Sequence, residues 1–153
     1  MKRFCALLVV LGVATPLVLA RCPDSFHGLS GSCFHFVTSG RWNWATAREE
    51  CKKLGADLAV LNSPEKLTYV SDFMNRHLGE GGSTFFWVGG HNLKGFWTWV
   101  NGDRMNVNSN VWVPETPSKT TEPSYALLSP PRTQGRRYMA DINSRIPGFI
   151  CEI

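Results

Sequence analysis

Cysteines, histidines, arginines and one tryptophan are the residues of this chain whose types could do chemistry. Cys5 sits in an apolar N-terminal stretch, while Cys22, Cys33, Cys51 and Cys151 are spread over the rest. No CxxC pair and no close Cys/His spacing occurs, so a zinc site lacks its ligand pattern. The chemistry that remains is oxidation: an even set of four in an oxidising compartment reads as two disulfides, with three pairings open. His27, His35, His77 and His91 are scattered without metal spacing. Ser, His and Asp all occur, yet no nucleophile elbow or other catalytic motif joins them, and no enzyme is expected. Arg132, Arg136, Arg137, Arg145 and Lys119 make the C-terminal third locally basic. Such guanidinium groups take sulfate, phosphate or carboxylate through bidentate contacts, although a solvated hairpin accounts for the same residues. Of six tryptophans, most are expected to fill the core; Trp112 stands apart because it opens a long polar loop.

The N-terminal stretch bounds the compartment. Lys2 and Arg3 precede a run from Phe4 to Ala20 with no charge, and Val18 and Ala20 are small enough to flank a cleavage point. Residues 1–20 are therefore expected to be a signal peptide cut at Ala20/Arg21, leaving 21–153 as a secreted domain. A membrane anchor is the competing reading, but a spanning helix needs roughly 20 apolar residues. This run is shorter, holds Gly12 and Pro16, and meets Cys22 with no stalk between, so membrane insertion is not expected. Removing Lys2 and Arg3 lowers the formal net charge from +4 to +2, too little to argue for nucleic acid. No Asn-x-Ser/Thr sequon is present. About 130 residues suit one core better than two.

The elements that position these residues follow from periodicity. Cys22 to Cys33, with Gly28 and Gly31, reads as a hairpin, and Phe34 to Val37 as a strand. A helix starting at Trp44 carries Ala47, Cys51 and Leu54 on one face and stops at Gly55. A second has Ser63 as N-cap, Pro64 and Glu65 in its first turn, a stripe of Leu67, Val70, Phe73, Met74 and Leu78, and Gly79 as its end. Short aromatic runs divided by glycine then predict strands over Phe85–Gly90 and Gly95–Val100. Asp103 to Ser124, rich in Asn, Pro, Ser and Thr, is a long loop of the kind that is usually functional or disordered. Tyr125–Ser129, Arg137–Ile142 and Gly148–Ile153 predict three last strands. The fold class is α+β: two helices on short antiparallel sheets, with a long inserted loop.

Set in order, these pieces resemble the C-type lectin-like domain over essentially the whole of 21–153. The carriers are Cys22-Pro23 with Cys33; Trp44, Ala47 and Cys51 on the first helix; and Leu58-Ala59-x-Leu61. Trp87-Val88-Gly89-Gly90 is similar to that family's Trp-Ile-Gly-Leu. Trp97-Thr98-Trp99-x-Asn101-Gly102 and Phe149-Ile150-Cys151-Glu152 complete the set. The resemblance implies the pairings Cys22–Cys33, which marks the long form, and Cys51–Cys151. A bond closing a loop of about 100 residues contributes roughly 4–5 kcal/mol in the chain-entropy picture.

Sugar-binding members hold calcium in the long loop, through oxygen ligands that include carboxylates. By the family pattern, Glu-Pro-Asn falls on Thr116-Pro117-Ser118, and Trp-Asn-Asp falls on Met139-Ala140-Asp141, so only Asp141 keeps a charged ligand. Glu115, Glu122 and Asp141 are residual calcium candidates, and no calcium or other cofactor is expected. The family's bracing disulfide falls on Tyr125 and Ser144, both without sulfur, so the loop is expected to be braced by packing alone and more mobile. The resemblance implies a secreted recognition protein that binds glycans or microbial surface polysaccharide in innate defence, without the usual calcium site. Its candidate ligand residues are Trp112, Glu115, Thr116, Pro117, Ser118, Glu122, Arg136, Arg137 and Asp141. The alternative is a calcium-independent protein-binding module of inhibitor, toxin-subunit or receptor-ligand type. A non-covalent homodimer is compatible with either.

Overall fold

A two-residue turn with both residues at positive φ matches the twist of an antiparallel hairpin. Ser30 and Gly31 take φ of 50° and 83° and join β1 (His27–Leu29) to β2 (Ser32–Val37). The computed structural model describes residues 21–78, 84–93, 95–114, 116–117, 122–129, 138–141, 144–146 and 148–153, with the backbone alone at 139–141.

Helix α1 (Trp44–Lys53) begins at Asn43, whose Oδ1 accepts from Thr46 N at 2.9 Å. This satisfies one of the donors that a helix start leaves unpaired. Trp44, Ala47 and Cys51 form its buried face. Leu54 does not extend that face as expected: it is the C-cap residue and is 45% exposed, because the chain leaves the helix there and turns at Gly55, φ 72°. A two-residue strand, β3 (Asp57–Leu58), follows. Helix α2 (Pro64–His77) has the expected cap, with Ser63 Oγ accepting from Lys66 N at 3.1 Å. Leu67, Val70, Phe73 and Met74 are its buried stripe. Leu78 lies one residue beyond the helix and is exposed rather than buried. The expected stop at Gly79 lies outside the described residues.

The remaining strands are β4 (Phe86–Asn92), β5 (Trp97–Trp99), β6 (Ser124–Leu128), β7 (Tyr138–Asp141) and β8 (Gly148–Glu152). All belong to one eight-stranded sheet ordered β1-β2-β8-β4-β6-β7, with β3 added to β8 and β5 to β4. The expected α+β class of two helices on mostly antiparallel strands holds, with one parallel seam in the sheet: β4 and β8 run parallel, Phe86 beside Gly148 and Trp87 beside Phe149. The reason is topological. Strand β8 is antiparallel to β2 and β3, β4 is antiparallel to β5 and β6, and the two halves can share one sheet only across the β4–β8 seam. Gly148 permits that seam, because a Cβ there would meet Phe85 O at 2.8 Å and Phe86 Cδ1 at 2.6 Å.

Both disulfides implied by the resemblance are formed, Cys22–Cys33 and Cys51–Cys151, the second spanning 100 residues and tying α1 to β8. Side chains alternate across a strand, and the core divides accordingly. Phe86, Val88 and Ile150 join Leu67, Val70 and Met74 of α2, whereas Trp87, Phe149 and Cys151 join Trp44, Ala47 and Cys51 of α1. The long loop leaves β5 and returns to β6 on the α2 side of this arrangement, through Met105 and Trp112 of the first cluster.

Candidate functional site

Between β5 and β6 the chain has few residues that would hold a regular element, so its ordering depends on what the ends grip. Trp99 N donates to Asp103 O at 2.8 Å and Met105 N to Trp97 O at 3.0 Å, closing the turn at Asn101-Gly102. Further on, Tyr138 N donates to Val111 O at 2.8 Å and Val113 N to Tyr138 O at 2.9 Å. The loop base is therefore stitched to the start of β7 by main-chain bonds, which corrects the expectation of bracing by packing alone. Aromatic side chains complete the stitch: Trp112 meets Trp97 at 5.1 Å and Tyr138 at 5.5 Å, and Trp99 meets Tyr138 at 5.6 Å, all edge-on, the arrangement the ring quadrupole favours. Tyr138 is buried, and its hydroxyl donates to Leu61 O at 2.6 Å. Burial pushes that phenol well above its usual pKa, so it stays neutral.

Beside this aromatic base lies a cleft of about 200 Å³ between the loop and the start of α2. Trp99, Met105, Trp112 and Tyr138 form its floor; Asn62, Ser63, Arg104, Asn106 and Ser109 supply its polar lining. The arrangement offers hydrogen-bonding groups around an apolar, aromatic base. Sequence reasoning missed this cleft, because its walls come from a turn, a helix start and a loop more than 40 residues away, as the Asn62–Asp103 contact shows.

The expected site residues fare differently. Trp112 is in the floor but only 4% exposed, with its Nε1 donating to Asn106 O at 3.1 Å, so it shapes the cleft from below rather than projecting from the loop. Thr116 and Pro117 are half-buried, joined by a cis peptide, and the Thr116 hydroxyl donates to Val113 O at 2.6 Å. Glu122 is exposed. On β7, the Asp141 backbone pairs with Tyr125; its side chain lies outside the described residues, as do Glu115, Ser118, Lys119, Arg132, Arg136 and Arg137. Arg145 is exposed. Among the described residues no three of His, Cys, Asp or Glu gather as a metal would need. Of the three calcium candidates only Glu122 has a described side chain, which is exposed, and the Thr116 hydroxyl donates to a backbone carbonyl.

The two positions of the missing disulfide also have an answer in part. Tyr125 stacks on Trp44 at 4.8 Å and meets Trp87 edge-on at 6.4 Å, with His91 at 5.5 Å from Trp44. A ring contact thus ties β6 to α1 where sulfur is absent. Ser144 is exposed. Burial pushes the His91 imidazole below its usual pKa; Gly89 O and Thr98 Oγ1 lie within hydrogen-bonding reach of its two nitrogens.

Comparison with known proteins agrees with this geometry. A family model described as the Lectin C-type domain matches residues 31–153. The low affinity immunoglobulin epsilon Fc receptor of Homo sapiens is 26% identical over 144 residues, covering 93% of this chain but 41% of the receptor. The chain thus spans less than half of that relative. The C-type lectin domain of murine dendritic cell inhibitory receptor 2, solved in complex with N-glycan, superposes with TM-score 0.72 at 17% identity, over 87% of this chain and 98% of that one. A Ca2+-dependent type II antifreeze protein in its Ca2+-free form gives TM-score 0.68 at 27% identity, over 86% of this chain and 99% of that one.

Proposed function

The chain belongs to the C-type lectin domain family, and from that premise we propose that it is a secreted recognition protein that binds glycans, microbial surface polysaccharide among them, in innate defence and without calcium. The observation that carries this reading is the cleft at the loop base, where amide, hydroxyl and guanidinium groups surround an indole and phenol floor. A sugar ring presents hydroxyls at its edge and C–H groups on its face, so this combination suits it: an apolar, aromatic base with a few placed polar groups is the usual make-up of a small-ligand site. From the loop between Asp103 and Ser124, Arg104, Asn106, Ser109 and Trp112 line this cleft; Thr116, Pro117, Glu122, Asp141, Glu115, Ser118, Arg136 and Arg137 are further candidates outside its lining. The murine receptor domain solved in complex with N-glycan supports the ligand class.

A glycan array probed with the domain spanning 21–153, with and without EDTA, tests this reading. Binding that survives EDTA is expected. No binding to any glycan or microbial polysaccharide removes the reading, and loss of binding in EDTA removes its calcium-free part. Residues 1–20 are assigned as the signal peptide, and secretion of a chain starting at Arg21 checks it. No helix among the described residues is long and apolar enough to cross a membrane.

One observation favours a second reading, a protein-binding module. Phe96 is 61% exposed and Leu93 52% exposed at the turn between β4 and β5, and exposed aromatic residues are common anchors in protein contacts. The Fc receptor among the relatives is consistent with it. Capture of a defined protein partner that excess sugar does not displace, and that Phe96→Ala weakens, supports this alternative.

A further inference from the structure

The polar lining of the cleft is unevenly committed. Three of its side-chain oxygens already accept one bond each: Ser63 Oγ takes Lys66 N at 3.1 Å, Asn106 Oδ1 takes Asn108 N at 3.1 Å, and Ser109 Oγ takes Val111 N at 3.4 Å. Its donors are not in use: among the described residues, the Ser63 and Ser109 hydroxyl protons and the Asn106 amide nitrogen reach no acceptor. Asn62 is the exception, its amide donating to Asp103 Oδ2 at 3.1 Å.

Charge leans the same way. Arg104 is the one charged group among the described lining residues, and no carboxylate lines the cleft with it. Asp103, its chain neighbour, is outside that lining, and Asn62 and Asn101 both donate to its Oδ2. Arg104 makes no ion pair among the described residues. Its guanidinium lies over the exposed Phe96 ring at 5.1 Å, which limits its conformational freedom while leaving its N–H edge available for bidentate contact. A neutral sugar can accept from these donors but brings no charge to meet Arg104. A ligand that supplies acceptor oxygens and negative charge matches it throughout.

Resting on the glycan reading above, we propose that this cleft selects an acidic sugar residue, its carboxylate or sulfate oxygens paired with Arg104 and its ring against the edges of Trp99 and Trp112. Asn106, Ser63 and Ser109 donate to the remaining oxygens. The shared chemistry is an anionic oxygen group on a pyranose, and the two sources are a uronate and a sulfate ester.

Calorimetric titration of the domain spanning 21–153 tests it, with a uronate disaccharide, a sulfated disaccharide, the neutral disaccharide of the same linkage, and inorganic sulfate. One or both acidic disaccharides are expected to bind at least tenfold more tightly than the neutral one, and more tightly than sulfate alone. Arg104→Ala should weaken acidic binding about tenfold or more, the scale of a charged hydrogen-bonded contact. Asn106→Asp keeps the acceptor for Asn108 N while replacing the donor by a negative oxygen, so it should weaken acidic binding without disturbing the loop turn. Circular dichroism and melting of both variants confirm folding. Equal binding of neutral and acidic disaccharides, or acidic binding unchanged in both folded variants, overturns the proposal and leaves the glycan reading standing. Failure of every saccharide overturns both.

Discussion

Two junctions hold the sheet of this domain together, and they are made of different materials. At one, the Cys51–Cys151 bond joins α1 to β8, fully buried. At the other, Tyr125 of β6 stacks between Trp44 of α1 and Trp87 of β4, while the loop base grips β7 through two main-chain bonds and the edge-on rings of Trp97, Trp99, Trp112 and Tyr138. The first junction is covalent and acts on the unfolded chain by shortening it. The second exists only in the folded state, as contact area and hydrogen bonds. A covalent tie tolerates small movements; an aromatic one loses contact with them. The recognition surface proposed above is built on the second kind.

The difference is open to experiment. The largest effect belongs to the covalent junction: replacing Cys51 and Cys151 together by Ala should cost about 4–5 kcal/mol, the value for a closed loop near 100 residues, seen as a lower urea midpoint. Tyr125→Ala should cost about 2 kcal/mol, combining a lost aromatic pair with lost burial. Because its loss falls on β6 and the loop, backbone amides there should exchange with solvent faster while those of β2 and β8 do not. Equal acceleration everywhere would show that the two junctions are one cooperative unit.

Smaller still, Tyr138→Phe removes the hydroxyl that donates to Leu61 O, and should cost about 1 to 2 kcal/mol by leaving a buried carbonyl unpaired. It also tests the cleft floor, since the ring stays in place and ligand binding should change less than stability. The smallest effect is a pH dependence at the aromatic junction. Burial holds the folded His91 below the ordinary imidazole value of 6.5, so the unfolded chain binds its proton first. The stability this contributes is whole above that value and is lost as pH falls through the folded one. The loss should be small for a half-buried group, and melting curves of wild type and His91→Gln from about pH 8 to about pH 5 should diverge only on the acid side.

How much of this was readable from the chain depends on the range of the interactions. Helix α2 was legible because its cap, first-turn proline and apolar stripe are all local, with Ser63, Pro64 and Val70 where expected. Its error is also local: Leu78 continues the period but not the helix, as Leu54 does after α1. Strand β3 is two residues long, too short to carry a period of two. The parallel seam between β4 and β8 depends on Phe86 meeting Gly148, which no window of sequence contains. Of the proposed cleft, the sequence marks the loop and Trp112 as candidates; that Trp112 lies in its floor and Arg104 in its wall could not be read, because Arg104 stands in no repeating pattern and gains its setting only from Phe96 and the α2 start.

The edge of the sheet has a consequence for assembly. Cys33 and Ile153 exchange reciprocal main-chain bonds, N to O at 3.2 and 3.0 Å, and Cys22 is 5.5 Å from Cys33 between Cα atoms. With about 5.5 Å across such a hydrogen-bonded pair, Cys22 and Ile153 stand within roughly 11 Å of each other. A polypeptide can therefore enter and leave this fold at nearly one point. Such a unit can be inserted into a loop of a host protein, or closed into a circular permutant with a short linker, without stretching either chain.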